Sequence, residues 1–257
     1  VGLTLSNGYD LTVKGNVTIA SGGTLTATDN TNLITVWGNW TNGGTYNNGS
    51  STLVFGGPAG SYTINAGGAG VGKKFYNLTI NGADGSSYAL ASAADIDNDL
   101  TVSKGTFDLG GAANNITVGG NWNIDLVNGG LFNPRTATVT FDGGNQNITN
   151  GTFYNFVTAG TGTKTVNSNL SVTNDVTIGA GTTLNLQENT LLVGRHWTNN
   201  GSFLSTGMGT VNFNGTVAQN IDAGTNATTF NHLVMSNAGA KTFGKNSNVN
   251  GDFTINA

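Results

Sequence analysis

The sequence of 257 residues contains no cysteine and only two prolines. Without thiols the chain can form neither a disulfide framework nor a thiolate metal site. No apolar run approaches the ~20 residues that a membrane-spanning helix needs, so we expect no membrane insertion. The first residues lack the basic and apolar regions of a signal peptide, so a secreted protein would already have lost its signal.

Charge is also scarce, because Asp, Glu, Lys and Arg make up 9% of the residues and the formal net charge is −4. The nine basic residues are scattered, and only Lys73 and Lys74 are adjacent. Nucleic-acid binding needs a basic stripe, so we expect no nucleic-acid partner. The two histidines, His196 and His232, lack the spacing of a two-histidine metal site.

Glycine is abundant, with 41 residues, and separates short runs rich in Thr, Val and Leu. Four motifs recur in the same order three times, and successive copies of the first motif keep a nearly constant spacing of roughly 80 residues. Such fixed-period similarity indicates a repeat architecture, whereas glycine-rich disorder would not require regular apolar alternation. The first motif is centred on Val17, Leu100, Val176 and Phe253, the second on Trp40, Trp122 and Trp197, the third on Phe55, Phe141 and Phe213, and the fourth on Leu78, Phe156 and Leu233.

Each repeat divides into four segments of about 20 residues, the length of one solenoid coil. Runs such as Val17-Thr18-Ile19 alternate apolar and small polar residues, as half-buried strands do, and Gly, Asn or Asp ends each run at a corner. An array of β-sandwich domains is the alternative, but it would need longer strands. The pattern therefore predicts an all-β, right-handed parallel β-helix (β-solenoid) of about 13 coils of ~20 residues. We expect one continuous domain, 1–257, with super-repeats at 15–97, 98–173 and 174–250 and a fourth beginning at 251–257.

Two recurring units carry a family resemblance, Val36-Trp37-Gly38-Asn39-Trp40 and Val118-Gly119-Gly120-Asn121-Trp122. Each precedes a corner of glycine, one further residue and an aromatic, such as Gly44-Thr45-Tyr46. With these units the whole chain resembles the repetitive parallel β-helices of secreted bacterial surface proteins, including autotransporter passengers and haemagglutinin-like adhesins. The resemblance implies a secreted, cell-surface location and a mechanical role, and it implies no particular ligand.

The two ends of the sequence lack the polar capping coils that protect a solenoid from edge-to-edge pairing. The last residues restate the first motif. Either the sequence is a segment of a longer repetitive protein, or copies stack end to end. We expect a structural extracellular subunit of a fibre or surface layer, assembled head to tail without a cofactor. The residues predicted to mediate assembly are Val1, Leu3, Leu5, Phe253 and Ile255.

Two binding roles remain as alternatives, a cell-surface adhesin stalk and a carbohydrate-binding module, with a polysaccharide or a host surface as partner. Trp40, Trp122 and Trp197 occupy equivalent repeat positions, so we expect them on one ridge. They would contact a glycan if their rings faced outward, and otherwise they would pack in the core. Ice binding by rows of threonine is disfavoured by the irregular coil length.

A polysaccharide lyase or hydrolase would need clustered carboxylates. The densest acidic cluster is Asp95, Asp97 and Asp99, which alternate as residues on one face of a strand would. Alternatively, these carboxylates could coordinate a calcium ion. Only the third acid recurs, as Asp175 and Asp252, so we interpret it, together with Asn16, as a corner residue that hydrogen-bonds its own backbone.

Arg195 and His196 depart from the glycine and asparagine of the sister repeats. Such a pair could bind an anion, but no acid or nucleophile is nearby in sequence. We interpret the pair as drift on a solvent-facing corner. The sequence therefore predicts no enzyme, no catalytic residue and no metal site.

Overall fold

The computed structural model describes residues 1–111 and 114–256, which fall into two compact units, Val1–Ala137 and Thr138–Ala257. Both units consist of short strands stacked in parallel, and the described residues form no helix. Together the units contain about 11 turns of a β-solenoid. The predicted all-β parallel solenoid is thus confirmed, while its right-handed sense and its organisation as one continuous domain stay predictions.

The first unit contains sixteen strands. Consecutive strands pass to successive faces, giving the parallel columns β1-β4-β7, β2-β5-β8-β10-β13-β15 and β3-β6-β9-β11-β13-β16, with β12 paired to β14. In chain order the strands are β1 (Gly2–Leu5), β2 (Leu11–Val13), β3 (Val17–Ile19), β4 (Thr24–Ala27), β5 (Leu33–Val36), β6 (Trp40–Asn42), β7 (Thr45–Asn47), β8 (Thr52–Phe55), β9 (Ser61–Asn65), β10 (Asn77–Asn81), β11 (Ser87–Leu90), β12 (Ala94–Ile96), β13 (Leu100–Asp108), β14 (Ile116–Val118), β15 (Trp122–Ile124) and β16 (Gly130–Asn133).

The second unit contains eighteen strands. Its columns are β17-β20-β23-β26-β29-β32, β18-β21-β24-β27 and β19-β22-β25-β28-β31-β34, with β30 paired to β33. In chain order the strands are β17 (Thr138–Phe141), β18 (Gln146–Thr149), β19 (Thr152–Phe153), β20 (Asn155–Thr158), β21 (Gly162–Val166), β22 (Leu170–Val172), β23 (Val176–Ile178), β24 (Thr182–Asn185), β25 (Thr190–Val193), β26 (Trp197–Asn199), β27 (Ser202–Leu204), β28 (Thr210–Phe213), β29 (Gln219–Ile221), β30 (Thr229–Phe230), β31 (His232–Met235), β32 (Lys241–Phe243), β33 (Asn248–Val249) and β34 (Phe253–Ile255).

The alternation seen in the sequence decides which side chains enter the core. In β8 the apolar residues Leu53 and Phe55 are fully buried, and Val54 between them is only partly buried. Leu78 of the next coil stacks on Leu53, and Leu100 stacks on Leu78. Each fully buried side chain of this size contributes about 1.5–3 kcal/mol, and no coil could bury its apolar face without its neighbours.

The count of 13 coils is too high because most coils exceed the predicted length of ~20 residues. Asn77 follows its strand partner Thr52 by 25 residues, and Asn133 follows its partner Asp108 by the same number. A shorter step occurs in the second unit, where Asn155 follows its partner Thr138 by 17 residues. Most described strands have three to five residues, so the additional residues lie mainly in the corners.

Equivalent residues of successive super-repeats lie on different faces of a unit. Trp40 belongs to the column that contains β3, whereas Trp122 belongs to the column that contains β2. The second unit shows the same shift, since Val176 and Phe253 lie in different columns. A super-repeat therefore spans a non-integral number of coils. The predicted single tryptophan ridge is wrong for Trp40 and Trp122.

Candidate functional sites

The three tryptophans of the second motif are fully buried, with no exposed fraction. Trp40 packs edge-on against Tyr46 at 5.1 Å between ring centroids, and Trp122 packs against Phe132 at 4.7 Å. Trp197 is surrounded by phenylalanine rings. Stacking on a glycan requires an outward-facing ring, and none of the three meets that condition. Their observed role is to fill the core.

The predicted assembly residues lie at the outer edges of the first and last described coils. Among the described strands, β1 pairs only with β4, and β34 pairs only with β31. The exposed fractions are 51% for Leu3, 52% for Phe253 and 74% for Ile255, and Val1 is fully exposed. Leu5 differs from this group, because it is 8% exposed and thus already covered.

A hollow opens into the core at each of these outer coils. The hollow beside β1 has a volume of about 440 Å³, and its lining includes Leu3, Val17 and Leu25. The hollow beside β34 has a volume of about 290 Å³, and its lining includes Phe253 and Ile255. Both hollows continue the apolar interior that the other coils of their units fill.

Two of the three carboxylates in the acidic cluster of the first unit pair with one lysine. Asp95 lies in β12, whereas Asp97 and Asp99 lie in the corner that follows, so the three carboxylates do not share a strand face. Lys74 Nζ lies 2.8 Å from Asp95 Oδ2 and 3.1 Å from Asp97 Oδ1. These two carboxylates, Asp95 foremost, raise the pKa of Lys74 well above its ordinary value. In the described part of the chain, no group of three or more His, Cys, Asp or Glu side chains is placed to hold a metal ion.

The third acid of the cluster belongs to a set of corner hydrogen bonds between coils. Asp99 Oδ1 accepts the backbone N–H of Asn121 at 2.7 Å, and Asn16 Oδ1 accepts that of Asn39 at 2.8 Å. The prediction that such residues bond their own backbone is therefore wrong. The donor belongs to the next coil, so each bond links two turns of the solenoid.

The second unit repeats this arrangement. Asp175 Oδ1 accepts the N–H of His196 at 3.0 Å, and His196 Nδ1 in turn accepts the N–H of Asn220 at 3.1 Å. His232 Nδ1 accepts the N–H of Asp252 at 3.0 Å. In each histidine, Nδ1 faces a backbone N–H of the adjacent coil. Both imidazoles hold adjacent coils together.

Arg195, beside His196, is exposed and forms no ion pair among the described residues. It borders a polar surface hollow of about 340 Å³ together with Asn174 and Thr216. No carboxylate lines this hollow, and its hydroxyl groups are those of Ser171, Thr173 and Thr216. The geometry offers a guanidinium and neutral side chains, and it places no acid–base pair there.

The fourth tryptophan, Trp37, has no role predicted from the sequence. It follows the buried Val36 at the end of β5, and its ring is only partly buried. The available signal was the alternation of inward and outward residues, which places a residue next to an inward valine on the outer surface. Trp37 is therefore the tryptophan that is partly exposed at the surface.

Comparison of the chain with protein-family models, with curated proteins and with solved structures returns no match. Among the described residues, no helix has the length and apolarity to cross a membrane. The fold thus defines the chain as a parallel β-solenoid.

Proposed function

We propose that this chain is a structural extracellular protein, a subunit of a fibre or surface layer that assembles by end-to-end stacking of solenoid coils. In this role it would be similar to the repetitive β-helices of autotransporter passengers and haemagglutinin-like adhesins. The observation that carries the proposal is the pair of outer coils, whose strands β1 and β34 each have one unpaired edge and uncovered apolar side chains.

The strands of a second copy could pair with these free edges because its coils have the same architecture. Every described strand pair is parallel, so a coil of another copy could continue the ladder without a change of direction. Covering Val1, Leu3, Phe253 and Ile255, which are half or more exposed, would contribute roughly 3–6 kcal/mol of transfer free energy before the entropy of association is subtracted. The net charge of −4 is low, so electrostatic repulsion between two copies opposes their association only weakly.

The test is sedimentation velocity and negative-stain electron microscopy of residues 1–257 over a range of concentrations. We expect oligomers that grow with concentration and filaments with a constant axial repeat. The variants Leu3→Lys and Ile255→Lys should remain monomeric, because each places a charge in the stacking surface. Leu131→Lys is the matched control, since Leu131 is 54% exposed in β16, away from both outer coils.

A monodisperse monomer at high concentration would contradict the proposal. So would oligomers that persist unchanged in both end variants. Circular dichroism of each variant verifies that loss of assembly does not reflect loss of the fold.

A further inference from the structure

A row of four aligned residues crosses successive coils of the first unit, and three of them are exposed or partly exposed while the glycine is buried. The parallel register aligns Val13 with Val36, Val36 with Phe55, and Phe55 with Ile80. The residues that follow these four are Lys14, Trp37, Gly56 and Asn81. The row therefore contains one aromatic ring, flanked by a lysine on one side and a glycine on the other.

The two sides of the Trp37 ring differ in what the neighbouring coil supplies. Lys14 Nζ lies over the ring, 5.0 Å from its centroid, in a cation–π contact. On the other side the next coil supplies Gly56, which has no side chain. The row thus has a gap, a position without a side chain between Trp37 and Asn81, where a Cβ on Gly56 would lie 3.1 Å from the Asn81 carbonyl oxygen. The strands of Trp37 and Asn81 are roughly 10 Å apart, since adjacent strands are about 4.8 Å apart.

The gap forms part of a surface groove of about 710 Å³. Gly57 contributes to its floor, and a Cβ added at this glycine would lie 3.0 Å from Trp37 Cα. Any larger residue would therefore push against the corner that holds the tryptophan. The lining combines apolar and neutral polar side chains, among them Leu33, Thr35, Trp37, Val54 and Asn81.

The wall beyond these glycines is held in place by hydrogen bonding and stacking. The Tyr62 hydroxyl donates to the Pro58 carbonyl at 3.0 Å. The Tyr62 ring stacks on Tyr88 with 5.1 Å between centroids and 22° between planes. Tyr88 belongs to β11 inside the solenoid, so the groove is anchored to the core and formed before any ligand arrives.

We propose that this groove binds one ring of a polysaccharide, a gluco-configured pyranose whose hydroxyls are equatorial. Such a ring has an apolar C–H face that fits the uncovered side of Trp37, while its hydroxyls point outward around the rim. The Asn81 amide and the Thr35 hydroxyl provide neutral donors and acceptors there, and neither side chain forms a hydrogen bond within the described chain. No carboxylate lines the groove, which favours a neutral sugar over a basic peptide.

The proposal does not depend on fibre assembly, because the groove lies on the side of the first unit. Tryptophan fluorescence can test it directly, since the other three tryptophans have no exposed fraction. Titration with cellohexaose and chitohexaose should shift the emission of Trp37 and protect it from acrylamide quenching. Wild-type protein should also be depleted from solution by insoluble cellulose or chitin.

The variants are compared by isothermal titration and by depletion, which do not need the Trp37 signal. Trp37→Ala should weaken binding at least tenfold, Asn81→Ala about threefold, and Trp37→Phe less than Trp37→Ala. Tyr9→Ala is the matched control, because Tyr9 is an aromatic residue that is 69% exposed and lies outside the groove. It should bind like the wild type.

Three results would overturn the proposal. The first is that wild-type protein binds neither oligosaccharide. The second is that Trp37→Ala binds with an affinity within twofold of the wild type. The third is that Tyr9→Ala loses as much affinity as Trp37→Ala. Thermal unfolding by circular dichroism identifies any variant that loses its fold. If Trp37→Ala does not fold, the affinity of Trp37→Phe is compared with that of the wild type instead.

Discussion

Trp40 and Trp197 occupy equivalent repeat positions but differ in the hydrogen bonding of the indole. Trp197 Nε1 donates to the buried Thr228 Oγ1 at 3.0 Å. Trp40 Nε1 is buried and has no hydrogen-bond partner in the described chain. Substitution of each tryptophan by phenylalanine removes the same atoms from two fully buried rings, so any difference in cost reflects the indole N–H.

The difference between the two variants follows from the hydrogen bonds. Trp197→Phe loses a buried hydrogen bond with a net value of about 1 kcal/mol. Trp40→Phe instead removes an unpaired buried donor, whose desolvation costs about 1–3 kcal/mol in the folded protein. We therefore expect Trp197→Phe to lower the free energy of unfolding by about 2–4 kcal/mol more than Trp40→Phe does.

Because the two residues lie in different units, the local free energy of opening is the quantity to compare. Hydrogen exchange of the neighbouring strands, followed by mass spectrometry in both variants, measures it. A matched Thr228→Val variant should remove most of the added cost of Trp197→Phe when the two changes are combined, because the bond is then already lost. Costs that agree within about 0.5 kcal/mol would refute the reasoning, since the measured effect would then reflect ring size alone.

Two further predictions concern titration and the corner hydrogen bonds. Burial raises the pKa of Tyr46 to about 12 against the opposing hydrogen bond from Ser51, so the folded state favours the neutral phenol. This phenol should lower the stability by about 3 kcal/mol as the pH rises from 10 to 12, and Tyr46→Phe should lack that part of the alkaline loss when urea unfolding is measured across that range. His196→Asn should leave the melting temperature unchanged, because the asparagine at the sister position Asn39 accepts the backbone N–H of Thr63 at 2.7 Å. His196→Leu should instead cost about 1 kcal/mol, and equal losses in both variants would contradict this role.

Much of the fold could be predicted because the pattern of residues is local. Alternation in runs such as Leu78-Thr79-Ile80 sets which side chains face inward, and the recurring motifs reveal the repeat. The number of turns could not be obtained in the same way, since corners such as the one between β9 and β10 add residues without changing the strands. Coil length depends on how each corner closes, which is a property of three-dimensional packing.

The candidate sites were harder to predict because they depend on whether each side chain faces the core or the surface and on which coil supplies its partner. Burial of the aromatic rings separates Trp40 from Trp37, although both lie within one five-residue unit. The partners of Asp95 and Asp99 come from other coils, Lys74 in one case and Asn121 in the other. Spacing along the chain carries no information on such contacts until the register between coils is known.

The non-integral super-repeat has a consequence for where function can arise. Equivalent residues of one unit turn to different faces, as Trp40 and Trp122 do, so a repeated motif cannot build a row of identical side chains along one face. A continuous binding ridge of the kind found in strictly periodic solenoids is therefore excluded for these positions. A surface site must come from side chains that successive coils happen to align. The row that contains Trp37 and Gly56 has this character, since it joins residues that occupy unrelated positions in the sequence motifs.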